Sequence, residues 1–505
     1  MIRKTRTLTA ALIAIIAAVG LGIVPAAGST WPRPHSDPLR PPPPRVPTRL
    51  YKGPAGTKSP WTAVPTPFDA DSMLLLTDGS VMVQQTETTN WWRLTPNDKG
   101  NYYDGTWSQL ATMPNGYAPT YYASAVLPDG RVIVEGGEYN SGQETDTTQG
   151  AIYNPVTNTW TPVSPPSGSG WTLIGDAPSA VLANGTFMLG SCCSSSDALL
   201  NESTLTWTAT GTGGAFNNED GWSLLPDGDV LTVVASSSDS TQIYSPGTGA
   251  WTSAGNLPVP LSSGAEVGPQ LLLPDGDVFA AGANGDSDIY DTGTGTWSAG
   301  PTFPVIGGQQ YDIADGPSAV LPDGDLLLEA SPGQQPPAHF FIYNGTTLTQ
   351  VADSPNANLQ PSFTGRMLVL PSGRILFDDY GSLELYYDNG APPAAWTPQI
   401  TKAPTRLHTG TAYTVSGIQL NGLTEGSAYG DDYQSATNYP LVRITNDKTG
   451  DVSYARTFGM TSMSVAPGTQ SAANFRLPAR IETGPSTLVV VANGIASAPV
   501  KVWVQ

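Results

Sequence analysis

The amino-acid sequence predicts an all-β protein, a seven-bladed β-propeller followed by an immunoglobulin-like β-sandwich, on three observations. A hairpin signal recurs seven times along the chain. Gly and Pro are abundant, at 55 and 47 residues, while helical periodicity is absent, the composition of many short strands joined by tight turns. The recurring pattern then stops near Thr401, where a different set of strand-like segments begins.

The hairpin signals are Thr77-Asp78-Gly79, Pro128-Asp129-Gly130, Ala183-Asn184-Gly185, Pro226-Asp227-Gly228, Pro274-Asp275-Gly276, Pro322-Asp323-Gly324 and Pro371-Ser372-Gly373. Asp-Gly and Asn-Gly supply the positive φ that tight hairpins need. Successive turns lie 43 to 55 residues apart, close to the roughly 50 of a kelch unit. Each unit continues with an aromatic-Asn/Asp strand and a strand bearing Trp: Trp107, Trp160, Trp207, Trp251 and Trp297, with Thr349 or Gln350 at this place in the sixth. A recurrent Trp here is expected to pack between blades. Four-stranded units hide their faces only against neighbours, so seven of them make a kelch-type propeller. Trp61-Thr62 precedes the first inner strand and is expected to complete the last blade, so that both ends of residues 61–400 close the ring.

Before the repeats, Arg3, Lys4 and Arg6 lead into an apolar run from Leu8 to Val24, and small residues follow at Ala26, Ala27 and Gly28. This is the layout of a cleavable signal peptide over 1–28, and it predicts a secreted chain with no membrane insertion after cleavage. Residues 29–60, with four consecutive prolines at Pro41 to Pro44, read as an extended linker. After the repeats, Tyr413–Val415, Leu441–Ile444, Val452–Thr457, Asn474–Leu477, Leu488–Ala492 and Val500–Val504 suggest a compact sandwich over 401–505. Charged residues make up 13 % of the chain and the net charge is −20. No basic stripe exists to meet phosphates, so nucleic acid is excluded as a partner, and an acidic, soluble monomer is expected.

The order of these parts resembles the galactose oxidase and glyoxal oxidase family. Gly410 to Tyr413, and Tyr429-Gly430-Asp431-Asp432 through Asn438-Tyr439-Pro440-Leu441-Val442-Arg443, resemble its C-terminal domain. The resemblance implies a copper ion held by two His and two Tyr, one Tyr cross-linked to Cys. Here the place before Gly365-Arg366-Met367-Leu368 holds Phe363-Thr364, and the C-terminal ligand position corresponds to Phe458. Neither Phe nor Thr replaces an imidazole. The three His of the chain are His35 in the linker, His339 in the sixth unit and His408 at the start of the last domain; each is read as structural or surface. Met460 and Met463, just beyond Phe458, offer soft sulfur or a hydrophobic plug. A copper cofactor is therefore not expected.

Propeller geometry puts the Asp-Gly turns on one face and the loops leading into the inner strands on the other. Eight residues before each turn stand Ala70, Tyr121, Asp176, Glu219, Val267, Asp315 and Thr364, with Asp71, Asp220 and Glu266 one residue away. Carboxylates thus recur at one mouth of the channel. They can hold Ca²⁺, with Asp176 and Asp315 as its candidate ligands, grip sugar hydroxyls, or fix neighbouring loops through backbone N–H groups. Close carboxylates can also form an acid/base pair for glycoside chemistry. Tyr121, Tyr122, Tyr311 and Trp222 can stack on sugar rings there or pack between blades. Cys192-Cys193 falls on the same face as a vicinal disulfide, a redox pair or two buried thiols, and no basic neighbour in sequence activates it.

The leading expectation is a secreted, copper-independent, galactose-oxidase-like protein that binds a carbohydrate or other polyol at the channel mouth, with Ca²⁺ as the candidate cation. No catalytic residue is assigned. Two alternatives stand beside it: an extracellular carbohydrate-active enzyme, either an oxidase with a rebuilt metal site or a carboxylate-based hydrolase or lyase, and an interaction scaffold. Fold alone does not choose among them.

Overall fold

A computed structural model describes residues 59–264, 266–388, 390–430 and 435–505, all within one compact unit. The signal segment 1–28, nearly all of the 29–60 linker with His35, and Asp431 and Asp432 lie outside the described residues. Helix among the described residues is confined to short 3₁₀ turns, and none is long and apolar enough to cross a membrane.

Seven four-stranded antiparallel blades form from the seven units. Blade one illustrates their construction, with strands Ala70–Leu75, Val81–Gln85, Trp91–Thr95 and Thr106–Gln109 running from the channel outward. Its inner strand is buried on both faces, which is why the sequence there reads as a continuous apolar run rather than an alternation. All seven hairpin glycines have φ between 76° and 101°, a region closed to most side chains. In six of the seven turns the Asp or Asn before that glycine accepts, through Oδ1, the N–H two residues on. The side chain thereby fixes the turn while the glycine permits it.

The ring is closed by Trp61–Val64, which pairs antiparallel with Ser382–Tyr386 as the outer strand of blade seven, Trp61 opposite Tyr386 and Val64 opposite Leu383. The seven inner strands then touch one another in unbroken cyclic order. Trp61 is almost wholly buried. It packs against Phe340, Phe377 and Tyr386 and donates its indole N–H to Ala352 O at 2.8 Å. The recurrent tryptophans of the other blades do the same. Trp107 donates to Pro65 O, Trp160 to Ala111 O, Trp207 to Ser164 O, Trp251 to Asp197 and Trp297 to Thr241. Each indole therefore latches its blade to the chain of the one before it, and Trp61 supplies the latch of blade seven. Blade six, ending in Leu348–Gln350, has no such Trp.

The C-terminal strands form the predicted sandwich. In hydrogen-bonded order they are Gln399–Lys402, Ala412–Ile418, Gln470–Arg476, Val452–Phe458, Leu441–Asn446, Gly484–Ala492, Val500–Val504 and Arg406–Leu407. Val452–Phe458 turns the corner: Val452–Ala455 pair with Leu441–Asn446, whereas Arg456–Phe458 pair with Gln470–Arg476. Leu488, Val490 and Val491 are buried at its centre. The strand Ser427–Ala428 was not evident from the sequence, because two residues carry no periodicity. It pairs with the inner strand of blade six, Ser318 opposite Ala428, as a fifth strand inside the channel.

Replacing Trp61 by Ala removes a buried indole and its hydrogen bond, a loss of about 3–5 kcal/mol. On a chain of this size that corresponds to a fall of roughly 3–5 °C in Tm. Trp107→Ala, at a half-exposed latch, should cost clearly less. Equal losses in thermal denaturation would show that closure does not concentrate stability at Trp61.

Candidate functional site at the channel mouth

Residues 424–430 and 435–440 of the C-terminal domain, the two arms of a finger, run along inner strands of the propeller. Its base is fixed by Asn493, which donates to Thr424 O at 2.6 Å, and by Asn421, which donates to Asn438 O at 2.9 Å. One arm follows blade six through Ser427–Ala428. The other returns along blade one, where Ser435 donates to Met73 O and Tyr439 to Leu75 O. Near the tip, Gly430 presses its backbone on three blades. A Cβ on Gly430 would lie 2.6 Å from Asp315 Oδ1 and 3.2 Å from Val267 O, and one on Gly221 would lie 2.2 Å from Gly430 O. Only a residue without a side chain fits between blades four, five and six here.

Beside this tip three carboxylates converge. Glu219, Glu266 and Asp315, from the loops leading into blades four, five and six, are buried, and each offers an oxygen within 4.8 Å of the others. Glu219 and Asp315 hold the left-handed φ of 57° and 53°, as does Tyr121 at the same register in blade two, at 53°. Such conformations cost non-glycine residues of order 1–3 kcal/mol. Here they turn the side chain at the end of the loop toward the channel.

The remaining register positions behave differently. Asp220 lies outside the three-carboxylate group and accepts the Ala235 N–H at 2.7 Å. Asp176 is buried beside blade three and lies outside the three-carboxylate group. Asp71 lies 3.9 Å from the Arg366 guanidinium. Arg366 is the residue that the register count missed. It begins the inner strand of blade seven, donates to the Phe363 and Gly365 carbonyls, and is sandwiched between the rings of Tyr121 at 5.1 Å and Tyr429 at 4.4 Å. The lead-in loops of blades four, five and six thus carry the acids, and the neighbouring blade seven carries a buried guanidinium. The signal for it was a lone Arg opening an otherwise apolar strand, Arg366-Met367-Leu368-Val369.

Several expected roles meet different surroundings. Tyr121, Tyr122, Tyr311 and Trp222 are all buried, so none presents a ring face for a sugar. Tyr122 donates to Gln84 Oε1 at 2.5 Å, Tyr311 stacks on His339, and Trp222 packs on Trp251. Phe363-Thr364 does stand at the lead-in to blade seven, where the Phe363 carbonyl accepts Arg366 and Tyr429 and the Thr364 hydroxyl donates to Gln360. Phe458 is not at the mouth. Its strand lies against the hairpin-turn face, with the Thr457 N–H donating to Thr77 O and the Met460 N–H to Pro128 O. Met460 and Met463 are buried there as interface packing. The count along the sequence failed because the segment that enters the channel is the finger, not the strand end at Phe458.

The donor set at the mouth decides which ion it suits. It offers carboxylate oxygens, whereas His339 is bound to Asp353 within blade six at 2.9 Å and His408 to Gln505 at the far end of the sandwich. Among the described residues no imidazole joins the three carboxylates, and copper prefers imidazole or sulfur donors where hard cations prefer carboxylate oxygen.

No protein-family model matches the chain, and no curated protein matches it. Among solved structures it is similar to a fungal alcohol oxidase of the AA5 family in complex with copper, at 13 % identity and a TM-score of 0.50, over 90 % of this chain and 100 % of that one. Virginiamycin B lyase from Staphylococcus aureus aligns at 9 % identity and a TM-score of 0.44, over 64 % of this chain and 96 % of that one. The likeness to the oxidase is one of fold, a propeller with an appended β-domain.

The finger carries one titrating group whose behaviour can be measured. Glu425 is partly buried, and desolvation pushes its carboxyl up to about 7, against a hydrogen bond from the Leu224 N–H that lowers it. An unfolded Glu ionises near 4.5. Below that pH the group is neutral in both states; between 4.5 and about 7 only the unfolded chain is ionised, so stability falls as pH rises and then levels. Glu425→Gln keeps an acceptor for Leu224 and removes the titration. The decline in Tm from pH 5 to pH 8 should be smaller in this variant by about 1–3 °C; identical pH profiles would refute the assignment.

Proposed function

We propose that the protein is a secreted binding protein whose channel mouth holds Ca²⁺ through Glu219, Glu266 and Asp315, and that the cation in turn binds vicinal hydroxyls of a carbohydrate or other polyol. The observation that carries this reading is the convergence of three buried carboxylates, each with an oxygen within 4.8 Å of the others. Ca²⁺ binds oxygen at about 2.3–2.6 Å, so its ligands stand up to roughly 5.2 Å apart, and it takes six to eight of them. Three protein oxygens therefore leave several positions for water or for a diol. The cation would also offset the repulsion among three carboxylates gathered in a poorly solvated place. Export is supported by the basic start and apolar run of residues 1–28.

Ca²⁺ at about a hundred times its Kd should stabilise the protein by roughly 2.7 kcal/mol, about 3 °C for a chain of this length. The Glu219→Gln, Asp315→Asn double variant should lose that rise while remaining folded. With Ca²⁺ bound, monosaccharides bearing vicinal diols should raise Tm further, and chelation should abolish both effects. A wild-type Tm indifferent to Ca²⁺ and to chelator would leave the three acids as structural groups and end this reading.

A further inference from the structure

Away from the three carboxylates, on the same face of the propeller, lies a second group of ligating atoms. Cys192 and Cys193 form a disulfide between adjacent residues. Both sulfurs and a carboxylate oxygen of Asp146 lie within 4.8 Å of one another. Three chain segments build this place. Asp146 comes from the loop between the second and third strands of blade two, and its peptide N–H donates to Glu138 O at 3.1 Å. Ile174-Gly175 leads into blade three and is tied to it on both sides: Ile174 N–H donates to Asp146 O at 3.4 Å, and its carbonyl accepts the Cys192 N–H at 2.9 Å. The cysteine loop itself is held by Ser191, whose N–H donates to Ser196 O at 3.1 Å, and by Ser194, whose carbonyl accepts the Asn217 N–H at 2.9 Å. None of these bonds involves a sulfur atom.

Gly175 shows how closely the parts are brought together. A Cβ on it would lie 2.5 Å from Cys192 Sγ and 3.1 Å from Asp146 Oδ1, and its φ is 64°. The absence of a side chain there lets the carboxylate and the sulfur share one small space. Asp146 also adopts a left-handed φ, of 42°, which aims its carboxylate inward. Cys192 is buried, whereas Cys193 is partly exposed. An incoming thiolate therefore has one sulfur open to attack.

We propose that Asp146, Cys192 and Cys193 form a redox-gated site for a thiophilic divalent cation, closed while the disulfide stands and able to bind Zn²⁺ or Cd²⁺ once it is reduced. The reductant is a dithiol. One of its thiolates attacks Cys193 Sγ, the S–S bond breaks and Cys192 leaves as thiolate. The second thiol of the reductant then displaces Cys193, so that two electrons pass to the protein and the reductant ends as a disulfide. Each cysteine sulfur takes up one proton. Zn²⁺ then releases both protons as it binds the two sulfurs and the Asp146 carboxylate. No basic neighbour is needed to form the thiolates, because the metal itself deprotonates a coordinating thiol. Zn–S bonds of about 2.3 Å at a tetrahedral angle place two sulfurs roughly 3.8 Å apart, within the span that the three groups already occupy. Two sulfurs and one oxygen leave a fourth position open.

The test is a Cd²⁺ titration of the full-length folded protein, before and after anaerobic treatment with dithiothreitol and removal of the reductant, with excess Ca²⁺ present to occupy any oxygen-donor site. Reduced protein should bind one Cd²⁺ with a thiolate-to-metal ultraviolet absorption and two protons released per ion; oxidised protein should show neither. Cys193→Ser should abolish the absorption. Asp146→Asn, which suits the left-handed backbone there, should keep it but weaken binding by more than the roughly tenfold expected of an outer-shell loss. If reduced, folded protein binds Cd²⁺ no more tightly than oxidised protein, or if Asp146→Asn leaves the affinity unchanged, the proposal is overturned. Neither result bears on the Ca²⁺ reading, which the state of the cysteines does not touch.

Discussion

Closure of the ring is the constraint on which the rest of this structure depends. A four-stranded blade buries its faces only against its neighbours, so an open array of seven would expose two apolar blade faces and an unpaired strand edge. The chain resolves this with Trp61–Val64, drawn from before the first blade and paired to the last. That pairing fixes the circumference, and the circumference sets how near the seven lead-in loops approach one another at the mouth. The indole latches run around the ring in the same sense, each tying a blade to the one before it. The burial of Trp61 among Phe340, Phe377 and Tyr386 places substantial packing at the seam, where closure needs it.

A closed ring of seven leaves a channel, and here the C-terminal domain sends chain along its inner strands. The finger meets the propeller through backbone pairing with blade six, through side chains that satisfy carbonyls of blade one, and through Glu425, which accepts a backbone N–H of blade four. These are polar groups in a place with little water, so each has to be matched to a partner. The consequence for chemistry is that Gly430 of the C-terminal domain stands beside the acids of blades five and six. Gly430 stands against Asp315, and on the neighbouring blade seven the Arg366 guanidinium is held between the rings of Tyr121 and Tyr429.

Burial of acids is a recurring expense of this design, and it is carried in different ways. Asp197 takes hydrogen bonds from Trp251 and Asn217 and still rises to about 7 through burial. Asp379, bonded to Ser354 and the Asn356 N–H, does likewise, and its charge adds to the burial that pushes Glu384 up to about 8. These acids join elements through hydrogen bonds. The three at the mouth also converge on one another.

Much of the fold was legible in the sequence because its signals are local. The Asp-Gly turns work through a bond between a side chain and an N–H two residues away, and a positive φ at one glycine; both are properties of four consecutive residues. The repeat period, the outer Trp and the closing strand follow from the same short-range pattern, read seven times. The adjacency of Cys192 and Cys193 was visible, though not their bond. The register count brought forward Glu219, Glu266 and Asp315 along with Asp176, Asp220 and the buried aromatics, since position along a strand is encoded but side-chain direction in a left-handed loop is not. Only the tertiary structure decided which of these meet. The finger contributes two paired residues to blade six and one glycine to the floor, too little for any periodicity, and its course is set by contacts hundreds of residues apart. Phe458 was misplaced for that reason: proximity to the mouth depends on which segment threads the channel, and threading is decided by the whole ring.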